Sequence, residues 1–99
     1  MEQPLGISIL PQAEDYIREL TSVERGAVAA DMLTMQLRQP GAYTKQLRGP
    51  IRELIVGHHR ITYFTLRHTL YFVRGFRKKT NKTPKTEIDY TEKIYKLTK

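Results

Sequence analysis

The sequence contains no cysteine. That excludes disulfide staples, thiolate nucleophiles and cysteine-based zinc sites, and it fits a reducing, cytoplasmic setting. Long apolar runs are missing as well. No stretch approaches the roughly 20 residues that a membrane span needs, so no membrane partner is expected. The opening MEQPLGISIL has neither the basic lead nor the apolar core of a signal peptide. The three histidines lack metal-ligand spacing: His58 and His59 are adjacent, so their side chains diverge, and His68 belongs to another turn. No metal or other cofactor is expected. No Ser-His-acid order stands out. Acids are scarce where bases are dense. Glu53 is the only acid between Ile51 and Lys79, so the sheet region offers no paired carboxylates. Internal repeats and long disordered tracts are also absent.

What is present is basic and unevenly placed. Residues 1–44 hold three basic and six acidic residues, whereas residues 45–99 hold fourteen basic and four acidic. A half so charged implies a polyanionic partner. At 99 residues the chain has the length of one domain, spanning 1–99, and can bury a core without staples.

The stretch from Ile51 to Lys79 organises the rest. Three runs rich in Ile, Val, Thr, Tyr and Phe (Ile51 to Val56, Arg60 to Leu66, Thr69 to Phe76) have the composition of strands on a half-buried surface. Gly57-His58-His59 and Arg67-His68 separate them, and connectors this short join antiparallel neighbours. Alternation sends Ile61, Tyr63 and Thr65 one way and Arg60, Thr62, Phe64 and Leu66 the other. In the last run Leu70, Phe72, Arg74 and Phe76 alternate with Tyr71, Val73 and Gly75. A short first strand is expected at Gly6 to Leu10.

Pro11 suits a first helical turn, and Ala13, Ile17 and Leu20 follow at helical spacing. Ser22 reads as the N-cap of a second helix. Its apolar stripe is Val23, Ala27, Ala30, Leu33 and Leu37, and Pro40-Gly41 stops it. The two helices read as a hairpin covering the sheet. Ala42 to Pro50 reads as a connector. Thr83-Pro84 reads as cap and first turn of a short terminal helix, whose acids lie early and lysines late.

Chemistry therefore rests on cations: Arg52, Arg60, Arg74, Arg77, Lys78, Lys79 and Lys82, with His58 and His59 at the sheet rim. Guanidinium groups grip phosphate bidentately and lysines neutralise it as point charges. On rigid strands such groups also stabilise charge that develops on a phosphate. Either histidine can move a proton near neutral pH.

The order KQLRGPIRELIVGHHRITYF, then LYFVRGFRKKTNKTPKTEI, resembles the RelE/HigB toxins of the RelE/ParE superfamily, especially their phage-derived HigB-like branch. The shared pattern is Lys45, Leu47 and Gly49 in the connector; Glu53 and Leu54; Arg60, Ile61 and Tyr63; and Gly75 to Pro84 running into a helix. The resemblance implies an α+β, RelE-like fold: a twisted, mainly antiparallel sheet covered on one face by an N-terminal helical hairpin, with a short C-terminal helix. It implies the toxin of a type II toxin–antitoxin system, a cytoplasmic, metal-independent endoribonuclease that cuts mRNA on the ribosome. Its partners would be the ribosome, mRNA and a cognate antitoxin, of a helix-turn-helix, HigA-like kind. Arg60, Lys78, Lys79 and His59 would be catalytic, and Arg52, Arg74, Arg77, Lys82 and Lys45 would bind RNA. Two positions depart from the pattern. Ile55 stands where an arginine is customary, and Arg74 where this branch often has histidine. A gyrase poison of the ParE kind, or a non-cleaving nucleic-acid- or antitoxin-binding member, are the alternatives.

Overall fold

Short turns and β-branched composition produce the central feature. The structure, a computed structural model, describes residues 2–99. Strands β3 (Ile51–Val56), β4 (His59–Leu66) and β5 (Thr69–Arg77) form the antiparallel meander that the sequence predicts. Arg67 and His68 both have positive φ, 50° and 64°, the geometry of a two-residue turn whose twist matches the strands it joins. Gly57, at φ 59°, opens the other tight turn, and His59 belongs to β4 rather than to that turn.

Two more strands complete the sheet. β1 (Gly6–Ile9) pairs in parallel with β5, and β2 (Tyr43–Arg48) pairs antiparallel with β3, giving the order β1-β5-β4-β3-β2. The expected connector at Ala42 to Pro50 is thus largely strand. YTKQLR is a polar edge strand, and such an edge carries charge rather than the apolar alternation of a buried strand.

Helices cover both faces. α1 (Pro11–Arg18) and α2 (Ser22–Gln36) lie on one face, where Ala13, Val28 and Met32 meet Leu54, Ile61, Tyr63, Leu70 and Phe72. α3 (Lys85–Thr98) lies on the other, with Tyr90, Ile94 and Tyr95 against Ile51, Phe64 and Val73. Beneath α3 the buried Thr62 and Thr91 hydroxyls meet at 2.6 Å. Arg48, reaching Asp89 and Glu92 at 2.8 and 3.2 Å, ties α3 to β2.

Several local expectations are corrected. The face of α2 that enters the core is Val28 and Met32, and the predicted stripe of Val23, Ala27, Ala30, Leu33 and Leu37 is exposed, Val23 at 81%. α2 carries apolar residues on several sides, so periodicity alone selects the wrong one. Its N-cap is Thr21, not Ser22. Thr21 exchanges hydrogen bonds with Glu24 in a reciprocal capping box. Thr83 does not cap α3, whose N-cap residue is Pro84 without a side-chain bond. The alternation along β5 is broken by a register shift opposite Thr62 and Tyr63. Leu70 and Phe72 face α1 and α2, whereas Arg74, paired with Thr62, and Phe76, paired with Arg60, share the face of α3. A bulge of this kind redirects every side chain beyond it. Among the described residues no helix is long and apolar enough to cross a membrane.

Candidate nucleic-acid interface

α3 covers only part of its face of the sheet. Beyond its first turn the strands stay open, and the chain from Lys78 to Pro84 runs as a strap between β5 and α3. The space enclosed is a cleft of about 690 Å³. Its floor is Glu53 and Ile55 of β3, Arg60 of β4 and Phe76 of β5. Lys45 of β2 forms one wall, and the strap with Glu87 of α3 the other. Strand parity dictates this grouping. Lys45 stands opposite Glu53, Ile55 opposite Arg60, and Arg60 opposite Phe76, so all five positions project to one face.

Six of the nine residues expected to act on RNA line this cleft: Lys45, Arg60, Arg77, Lys78, Lys79 and Lys82; Arg77, paired with His59, also borders the crevice on the other face. Arg60 is held most firmly. It is 8% exposed, and its Nη1 donates to the carbonyls of Gly57 and His59 at 2.8 and 3.0 Å. Its Nε is ion-paired with Glu53 Oε2 at 3.9 Å. The backbone N–H of Lys78 donates to the His58 carbonyl at 2.8 Å, which fixes where the strap leaves the sheet. The side chains of Lys78, Lys79 and Lys82 belong to exposed residues.

Three expected residues lie elsewhere. His59 faces α1 and α2, is 5% exposed, and has both ring nitrogens engaged: Nδ1 with Tyr16 Oη at 2.7 Å and Nε2 with Glu24 Oε2 at 2.8 Å. The same contact with His59, together with the Thr21 bonds, holds the Glu24 carboxyl down at about 2. Burial pushes the Tyr16 phenol upward. Arg52 is on that face too, donating to Tyr63 Oη and Thr44 Oγ1 at 3.3 and 3.0 Å. Arg74 lies under α3, with Nε 3.1 Å from Glu87 Oε1 and its guanidinium 4.8 Å from the Tyr90 ring centre. His58 lines a separate crevice with Val23 and Ala27.

The sequence did not mark Thr83 or Glu87 as parts of the cleft, and it showed Glu53 only as a lone acid. Thr83 Oγ1 donates to Glu53 Oε1 at 2.6 Å, which is why it does not cap α3. The one signal available was parity. Glu53 and Ile55 share a side of their strand, and that side pairs with Arg60. Among the described residues no group of three or more His, Asp or Glu side chains could hold a metal ion.

Residues 15–96 match the family described as Phage derived protein Gp49-like (DUF891). The chain belongs to the Gp49-like family. A search of curated proteins found no match. Among solved structures, a chain in the crystal structure of the RelB-RelE antitoxin-toxin complex from Methanococcus jannaschii is similar over 83% of this Gp49-like chain and 95% of its own. The TM-score is 0.61 at 15% identity. At that identity the likeness establishes the fold, and the fold is the expected RelE-like one, with three helices and a five-stranded mixed sheet among the described residues. The kinship read from Lys45 to Pro84 is met by the phage-derived family that matches and by the RelE-like fold. In this Gp49-like protein the departure at Ile55 falls on the cleft floor, while the departure at Arg74 falls outside the cleft.

Proposed function

We propose that this protein is the toxin of a type II toxin–antitoxin system and that it cuts mRNA on the ribosome. The observation that carries the reading is the convergence of cationic residues from β2, β4 and the strap on one cleft. The Gp49-like family and a fold shared with a chain of an antitoxin–toxin complex support the same reading.

The reaction is attack of a ribose 2′-hydroxyl on the adjacent phosphate, which needs no metal. Arg60, fixed by two carbonyls, binds the phosphate and meets the charge that builds on it in the transition state. Lys78 and Lys79 complete that field and supply a proton to the leaving oxygen. Lys45, Arg77 and Lys82 track the neighbouring phosphates. The ribosome positions the strand, and an antitoxin covers the basic cleft when the toxin is held in check.

Induced expression with mapping of mRNA 5′ ends tests this. The expected result is arrested translation with new ends inside translated frames, and loss of those ends in Arg60→Ala and Lys78→Ala. Intact mRNA with unimpaired growth would overturn it, and DNA-damage signalling without mRNA loss would point to a gyrase poison. One observation favours a second reading, a binder that does not cleave. Ile55 puts an apolar side chain on the cleft floor where the superfamily pattern has arginine. That reading predicts toxicity without new mRNA ends.

A further inference from the structure

The charged groups of the cleft are mainly donors. Lysine and arginine side chains donate hydrogen bonds and accept none, and six such residues line it. Two carboxylates differ. Glu87 Oε1, buried where α3 begins, is ion-paired with Arg74 Nε at 3.1 Å but has no hydrogen-bond partner. Glu53 is only half occupied. Its Oε1 accepts from Thr83 Oγ1 at 2.6 Å. Its Oε2 is ion-paired with Arg60 Nε at 3.9 Å, beyond hydrogen-bond distance. β-Pairing holds its backbone between Lys45 on one side and Thr62 on the other.

A carboxylate on the floor of a site for a polyanion repels the ligand it should help to bind, and burial adds a desolvation cost. Glu53 is 3% exposed, so both costs apply. What it offers in return is a fixed acceptor beside a fixed guanidinium. RNA presents a donor there that DNA lacks.

We infer that Glu53 is the general base that takes the proton of the attacking 2′-hydroxyl. The inference rests on the nuclease reading above. In the step, the O2′–H bond breaks and its proton passes to Glu53 Oε2. The O2′–P bond forms as the P–O5′ bond breaks, and the leaving O5′ takes a proton from a strap lysine. The products are a 2′,3′-cyclic phosphate and a 5′-hydroxyl. Thr83 positions the carboxylate by holding its other oxygen, and so couples the strap to the base.

The test uses the full chain with ribosomes programmed with a defined mRNA, following single-turnover cleavage and co-sedimentation of the protein with the ribosome. Glu53→Gln keeps an acceptor for Thr83 but cannot take the proton. It should slow cleavage about 10²–10⁴-fold with co-sedimentation within a few-fold of wild type. Glu53→Ala should be slowed as much and be partly rescued by added formate, whereas formate should leave Glu53→Gln unchanged. Thr83→Val keeps the carboxylate and should lose less than Glu53→Gln. If Glu53→Gln does not fold by circular dichroism, Glu53→Ala with formate decides alone. Cleavage by Glu53→Gln within threefold of wild type, or an Ala variant that formate leaves inert, overturns this inference and spares the nuclease reading. No cleavage by the wild-type chain overturns both.

Discussion

Residue type and residue role separate most sharply at His59. Its imidazole is enclosed by Tyr16 and Glu24 and so joins β4 to both helices of its face. Glu24 therefore has two duties, closing the capping box of α2 and holding the histidine. Its carboxyl is lowered from about 4.5 to about 2, first by the His59 contact and then by Thr21. A depressed folded value means that the stabilisation is present above about pH 4.5 and fades as pH falls towards 2. Urea denaturation across that window should show Glu24→Gln with a flatter pH dependence than wild type. Gly75 makes a second prediction at this scale. The Tyr16 ring lies directly over it, leaving no room for a Cβ. Gly75→Ala should cost about 1–3 kcal/mol by overpacking, read as a lower urea midpoint with an unchanged slope. Residue types alone could list the cations but not their partners. Arg60 and Arg74 look alike in the sequence, and only the register shift in β5 and the position of α3 decide that one lines the cleft while the other meets Glu87 and Tyr90.

Among the elements, the meander was legible because β-branched runs and two-residue turns are local features. β2 was not, because a polar edge strand differs little from a polar loop until its partner is known. α2 was legible as a helix and misread as to its face. Val28 and Met32 enter the core while Val23 and Leu33 do not, and a helix rich in alanine gives too little contrast for periodicity to choose between them. Met32→Ala should therefore cost about 2–4 kcal/mol through the cavity it leaves, whereas Leu33→Ala should fall within about 0.5 kcal/mol of wild type. Paired thermal melts check both. Equal losses would place the core face wrongly.

For the molecule as a whole, the decisive quantity is where the charge converges. Fourteen of the seventeen basic residues lie beyond residue 44, yet among the described residues six line the cleft; Arg52 and Arg74 are used by the scaffold. That division was not readable from charge density. It gives a quantitative expectation for RNA. Lys82→Ala should lower the slope of log affinity against log salt by about 0.7 for a single strand, measured by fluorescence anisotropy on a labelled oligoribonucleotide. Arg52→Ala should leave that slope unchanged, because its guanidinium is bound to Tyr63 and Thr44 on the far face.

The parallel pairing of β1 with β5 also governs how the protein is made. Synthesis runs from the N-terminus, so the first strand to leave the ribosome must wait for the last before it finds its partner. The strap comes later still. A nascent chain cut short anywhere before Thr83 has no enclosed cleft, so the surface proposed to meet RNA closes only after the sheet has been made.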